Sequence, residues 1–242
     1  MIGAIRAELL RSLSGWAVLG AIALAVLVPN MVLSSSGDAA ALARDLPPGA
    51  ATKLLLAPLA WSFVAAGFVG AYTVTREVYY HSLDRTLLIV GRTRAQVAKT
   101  VGGCVTAVLF ALGMGLVWCA VVAVILAVNG SSFEMSAAVV ETFAGSVLGA
   151  VLGGAGGCAI GWIVRNYYAA AGVVLVVPLA LELLLLGQHP EFARFMPGLT
   201  IAAISVPGYR DVLLDRPLAI LLSVAWVGAA WVIALVWARR RA

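Results

Sequence analysis

The sequence predicts an all-α membrane protein, a single domain over residues 1–242 with six transmembrane helices. Hydrophobic residues make up 63% of the chain and charged residues only 11%, whereas a soluble domain carries roughly 25% charge. The apolar runs are also continuous and do not alternate, which favours helices over a barrel. Six runs reach the roughly 20 residues that a helix needs to cross the hydrocarbon core. They lie near residues 16–33, 54–75, 102–128, 140–163, 168–187 and 218–237.

The segment before the first span is amphipathic. Over residues 1–13, Ile2, Ile5, Leu9 and Leu13 share one helical face, and the charged side chains lie elsewhere. This pattern favours a short helix that lies in the membrane interface. A simple extension of the first transmembrane helix is the alternative.

The distribution of cations predicts the orientation, because cytoplasmic loops carry an excess of Lys and Arg. With six spans, both termini and the 76–99 loop lie on one side, which collects eleven of the 16 cations. That side is therefore predicted to be cytoplasmic, and the composition suggests a bacterial plasma (inner) membrane. The net charge of +5 follows from this asymmetry and needs no nucleic-acid partner.

The 76–99 segment is the longest polar stretch on the predicted cytoplasmic side. Leu83, Leu87 and Leu88 make an apolar face at helical spacing, with Asp84 and Arg85 beside it, and Gly91 is a natural helix stop. The residues alone leave two interpretations open. One is a short helix that lies across the bilayer surface and shows its charges to the cytosol, and the other is an ordinary basic loop that only fixes the topology.

The fourth span has a regular glycine pattern, which lets a neighbouring helix approach closely. We expect this stripe to pack within the chain, with a seam between two copies as the alternative. It consists of Gly145, Gly149, Gly153, Gly157 and Gly161.

Two acidic residues lie at or near membrane depth. Glu182 falls inside the fifth span, where a charge is costly, so we expect it to face protein or water as a possible substrate or gate residue. Glu141 begins the fourth span and fits a solvated helix start. In the outer segment 188–217, the apolar centre predicts a short helix. It either dips into the outer leaflet or caps the bundle.

No catalytic or metal site is predicted. The two histidines, His81 and His189, fall on opposite sides of the membrane, and no nucleophile motif occurs in a span. Cys104, Cys119 and Cys158 all fall inside spans without metal-ligand spacing.

The 76–99 segment resembles the permease subunits of type-2 ATP-binding-cassette exporters. The similarity lies in Glu77 at the end of the second span, in the Arg85-Thr86-Leu87-Leu88 stretch, in the Thr93-Arg94 pair and in Lys99. Arg85 replaces a usual glycine, and Gly91-Arg92 stands where a proline is usual. The resemblance implies that this loop is a coupling helix that contacts an ATPase subunit. The residues it assigns to that interface, or to its bracing, are Glu77, Leu83, Asp84, Arg85, Leu87, Leu88, Arg92 and Arg94.

The resemblance also implies partners. The chain has no phosphate-binding loop, so it needs no cofactor itself, and ATP and Mg would be bound by a separate ATPase. A second copy or a similar permease would complete the path, within membrane lipids. The apolar side chains of the second and fifth spans favour a hydrophobic or amphipathic substrate, such as a drug, lipid or peptide. The alternative is a non-transporting scaffold or an immunity subunit against antimicrobial peptides.

Overall fold

The computed structural model describes residues 2–12, 17–35, 39–208 and 212–240, and every regular element in these residues is helical. Besides the α-helices, the chain has a 3₁₀ turn over Ala57–Trp61 and a π-helical segment over Val177–Glu182. In chain order the α-helices are α1 (Ile2–Ser12), α2 (Ala17–Ser35), α3 (Ala39–Arg44), α4 (Pro48–Leu56), α5 (Ser62–Tyr79), α6 (Leu83–Val90), α7 (Arg92–Val128), α8 (Ala137–Val164), α9 (Tyr167–Val176), α10 (Leu183–Gln188), α11 (Pro190–Ala193), α12 (Pro197–Ser205) and α13 (Arg216–Arg240).

Five helical segments of the described residues are long and apolar enough to cross a membrane, which makes the chain a multi-pass membrane protein. They correspond to the predicted second to sixth spans and are two to ten residues longer than predicted. Helix α2 covers most of the predicted first span, but only a shorter apolar stretch of it, over residues 22–31, stands out. The first crossing therefore stays a prediction, and residue 16 lies outside the described residues. The five segments are Pro48–Tyr79, Arg92–Val128, Ala137–Val164, Tyr167–Gln188 and Arg216–Trp237.

Helix α5 is the centre of the bundle. The most apolar window of Pro48–Tyr79 is 89% buried, whereas the corresponding windows of the other four segments are 17–50% buried. Helices α7, α8 and α9 pack around α5, and α2 contacts it from another side. The second span therefore has almost no surface left to face lipid or a water-filled path.

The predicted second span is not one regular helix. Pro58 has no N–H, so it cannot donate the i→i−3 bond of a 3₁₀ turn to the carbonyl of Leu55. The buried indole Nε1 of Trp118 donates to that carbonyl at 2.9 Å. A side chain of α7 thus satisfies the backbone at the break and fixes α7 against this part of the chain.

The outer segment contains the predicted short helix as α12, whose residues after Pro197 are buried. It packs against α8 and α13. This placement corresponds to the bundle-capping alternative, because the helix contacts protein along most of its surface. At the same end, Arg216 donates to the carbonyl of Ile204 at 3.0 Å and to Glu141 Oε2 at 2.9 Å.

Candidate functional site

Helix α6 connects α5 to α7 at the end of the bundle opposite α12. The chain reverses through His81, whose φ is +53°, and the N–H of Ser82 donates to the carbonyl of Glu77 at 2.8 Å. Gly91 ends α6 with a φ of +82°, which favours glycine. The predicted helix stop at Gly91 is therefore where the helix ends, and α7 begins at Arg92.

The apolar residues of α6 do not form the single face that the sequence predicted. Leu83 is buried and Leu87 half-buried, and both pack in a cluster with Val74 and Trp162. Leu88 instead is 87% exposed and Ile89 is 73% exposed. Leu83 and Leu87 lie on the same side of the helix because they are four residues apart. Leu88 is one residue beyond Leu87 and therefore lies on a different side. Helix α6 is thus anchored by one face and presents the other outward.

A cluster of four charged residues, of which all but Arg11 are buried, lies beside α6, and we call it the ion cluster: Glu8, Arg11, Glu77 and Lys99. Lys99 is fully buried, and its Nζ lies 3.1 Å from Glu8 Oε1 and 2.9 Å from Glu77 Oε1. It also donates to the carbonyl of Thr73 at 3.1 Å. Arg11 Nη1 contacts the same two carboxylate oxygens at 3.1 and 2.8 Å. Two cations therefore hold two carboxylates, and the ion cluster joins α1, α5 and α7.

Helix α1 packs through its polar side. Glu8 and Ser12 are its buried residues, and a Cβ at Gly102 of α7 would lie 3.0 Å from the Glu8 Cβ. Of the predicted apolar face, Ile2 is 85% exposed, whereas Ile5 and Leu9 are half-buried. The amphipathic pattern did not reveal that Glu8, on the polar side, contacts α7. Met1 and Leu13 lie outside the described residues.

Arg76 completes the contact between α1 and α5. Its Nη1 donates to the carbonyl of Arg11 at 2.6 Å, near the end of α1. Its guanidinium also lies over the ring of Tyr72, 5.3 Å from the centroid, as in a cation–π interaction. Because a cation satisfies a helix C-terminal carbonyl here, α1 is fixed to α5 at its last turn as well as through Glu8.

The predicted interface residues fall into three environments. Glu77 is buried in the ion cluster, which fits bracing, while Leu83 and Leu87 anchor α6 in the bundle. Arg92 is half-buried. The remaining predicted residues are exposed on α6 or at the start of α7: Asp84, Arg85, Leu88 and Arg94.

Sequence reasoning missed Glu8 and Arg11 as members of the site. Their only local signal is a charged side on a short amphipathic helix, which equally describes a solvated surface. Lys99 gave a stronger signal, because it stands just inside a long apolar run where an isolated cation needs a partner. The identity of that partner depends on how α1 packs, which no local pattern encodes.

The predicted glycine stripe of α8 is buried against two neighbours within the chain. A Cβ at Gly145 would lie 2.6 Å from the carbonyl oxygen of Ile204 in α12. A Cβ at Gly157 would overlap the carbonyl oxygen of Gly67 in α5. Gly149 contacts Ile201, Gly153 contacts Phe63, and Gly161 contacts Ala71.

Glu182 lies at the N-terminus of α12. Its two carboxylate oxygens accept hydrogen bonds from the backbone N–H groups of Gly198 at 3.0 Å and Leu199 at 2.8 Å. Helix N-termini carry unpaired N–H groups and a partial positive charge, which a carboxylate satisfies. The residue predicted as a substrate or gate group thus has protein partners on both oxygens, and the π-helical segment ends at Glu182.

Comparison of the chain with protein-family models found no match, and comparison with curated proteins found none either.

Proposed function

We propose that this chain is the permease subunit of a type-2 ATP-binding-cassette exporter in a bacterial inner membrane, with both termini in the cytoplasm. A separate ATPase would supply the energy, and a second copy or a similar permease would complete the path. The proposal rests on the resemblance of residues 77–99 to permease subunits of this class, and on the position of α6 at one end of the bundle. The substrate would be hydrophobic or amphipathic.

The observation that carries the proposal is the outward face of α6. Asp84, Arg85, Leu88 and Ile89 are exposed on a short helix whose opposite face is anchored by Leu83. Exposed Leu and Ile side chains at the end of a helix suit a protein–protein contact, and the flanking charges give such a contact its register. A loop that only fixed topology would need neither the buried anchor nor the apolar outward face.

The ion cluster supports the same proposal. It joins α5 and α7, the two helices that α6 connects, and adds α1 to them. A push on α6 would therefore move three helices together, since separating them would leave buried charges without partners. An anchored lever of this kind suits a subunit that is driven by another protein.

The test is the effect of Leu88→Asp on association with an ATPase. The tagged chain is purified in mild detergent from its native host, and partners are identified by mass spectrometry. We expect wild type to bring down a soluble ATPase with a phosphate-binding loop and Leu88→Asp to lose it. Phe192→Asp in α11 is the matched control, because this side chain is 74% exposed at the other end of the bundle.

Two results would contradict the proposal. One is that no ATPase co-purifies with the wild-type chain, which would favour a function as a non-transporting scaffold or an immunity subunit. The other is an ATPase that associates equally with wild type and Leu88→Asp, which would remove α6 from the interface. Equal insertion and equal thermal unfolding of the two variants serve as the folding control.

A further inference from the structure

The ion cluster borders an open cavity of about 520 Å³ that is lined by α1, α6 and the adjoining ends of α5 and α7. This volume falls within the range of about 300–1,000 Å³ that is typical of small-molecule sites. The cavity lies at the α6 end of the bundle, far from the buried contacts of α8 and α12. The fold thus provides a concave site that shares Arg85 and Ile89 with the outward face of α6 but does not include Asp84 or Leu88.

The charges around this cavity do not balance. Glu8 and Glu77 are each contacted by both Lys99 and Arg11, so the ion cluster has no net charge. Two further guanidinium groups, those of Arg76 and Arg85, also line the cavity. Arg76 Nη1 donates to the carbonyl of Arg11, which is a neutral group. Together, the ion cluster and these two arginines therefore carry two positive charges in excess.

The hydrogen-bonding groups of the lining suit an oxyanion. Arginine presents a planar fork of donors that matches phosphate geometry. Tyr80, Ser82 and Thr86 also line the cavity, and hydroxyl groups are donors of the kind that bind phosphate oxygens. The hydroxyl of Ser82 donates to the carbonyl of Glu77 at 3.4 Å. We infer that this cavity binds the phosphate group of a phosphoester, with Arg76 and Arg85 as its principal ligands.

Apolar side chains border the same cavity. Ile89 and Val90 line it from α6, and Ala4 and Ala7 line it from α1. Ile2 and Leu10 do not line the cavity but are exposed on the same helix α1. In a multi-pass membrane protein, exposed apolar side chains next to a cationic site fit acyl chains below a headgroup. The phosphate of an anionic membrane lipid is therefore the source that fits best, and a soluble phosphoester is the other source of the same chemistry.

The test is a binding titration of the delipidated full chain in detergent, followed by native mass spectrometry. The probes are dioleoylphosphatidylglycerol, dioleoylglycerol without phosphate, and glycerol 3-phosphate without acyl chains. We expect the phosphatidylglycerol to bind and Arg85→Gln to raise its Kd about fivefold, as expected for one cation near a membrane surface. Arg94→Gln is the matched control, because Arg94 is exposed at the same end but does not line the cavity, so its Kd should be unchanged.

Each outcome decides the matter. Binding of glycerol 3-phosphate that depends on Arg85 supports the phosphate site and assigns it to a soluble phosphoester. Equal binding of dioleoylglycerol and phosphatidylglycerol would overturn the inference, and so would equal losses in Arg85→Gln and Arg94→Gln or no binding at all. Leu88→Asp separates this inference from the proposed function, because Leu88 does not line the cavity. That variant should bind lipid normally even if it loses the ATPase.

Discussion

Replacing Lys99 by methionine tests whether the ion cluster stabilises the fold. Methionine keeps most of the length of lysine but removes the charge from a fully buried position 2.9 and 3.1 Å from two carboxylate oxygens. Removing one member of a buried ion pair typically costs about 3–5 kcal/mol, because the other charge stays buried without its partner. Because Arg11 remains in contact with both carboxylates, we expect a loss near the lower end of that range, about 3 kcal/mol. Arg11 does not cancel the loss completely, because its side chain is 47% exposed.

The measurement is the free energy of unfolding in mixed micelles, from a titration with sodium dodecyl sulfate followed by circular dichroism. Lys53→Met is the matched control, because Lys53 is exposed on α4, and it should change the free energy by less than about 0.5 kcal/mol. The triple variant Glu8→Gln, Glu77→Gln and Lys99→Met should recover much of the loss, since no buried charge is then left unpaired. A value for Lys99→Met within about 1 kcal/mol of wild type would refute the reasoning, and so would a triple variant less stable than the single one.

Two further predictions concern the other buried contacts, and the same titration measures both. Gly157→Ala should destabilise the protein, because the added Cβ would overlap the Gly67 carbonyl of α5. Gly172→Ala is the control and should not, since nothing lies within 4 Å of its Cβ position. Equal effects of the two substitutions would contradict the close contact between α8 and α5. Glu182→Ala should cost about 1–2 kcal/mol, as for the loss of a helix N-cap, because it removes the acceptors of Gly198 and Leu199. Glu182→Gln should cost less, because its amide oxygen still accepts one hydrogen bond. An alanine variant as stable as wild type would show that this cap does not stabilise the protein.

The elements that the sequence predicted best are those with strong local signals. Residues 83–90 combine leucines at helical spacing with Gly91, whose positive φ ends the helix. The glycines of α8 recur every four residues, and a stripe of this kind can only serve close packing. In both cases the information lies within one turn or one face, so it is readable without knowing the neighbours.

The parts that the sequence did not predict depend on contacts between distant segments. Glu8 and Lys99 are 91 positions apart, and their pairing requires α1 to pack against α7 beside Gly102. In the sequence, Glu182 is an acidic residue at membrane depth without an evident partner. In the structure, its partners are backbone N–H groups of α12. Backbone donors leave no trace in side-chain chemistry, which is why a structural cap and a gate residue look alike in the sequence.

The burial of α5 restricts how the proposed transport path can form. Because α5 has so little free surface, either α2 moves away to expose the second span, or the path lies between two copies and is lined by other helices. Leu24 of α2 packs near Phe68 of α5, so cysteines at these positions, joined by a short bifunctional reagent, would hold the two helices together. We expect the cross-linked chain to keep substrate-stimulated ATP hydrolysis in complex with its ATPase, because α2 packs against the buried helix α5. All variants are made in a chain in which the native Cys104, Cys119 and Cys158 are replaced by alanine. Loss of that stimulation in the cross-linked chain, but not in either single-cysteine variant treated with the same reagent, would place the opening between α2 and α5.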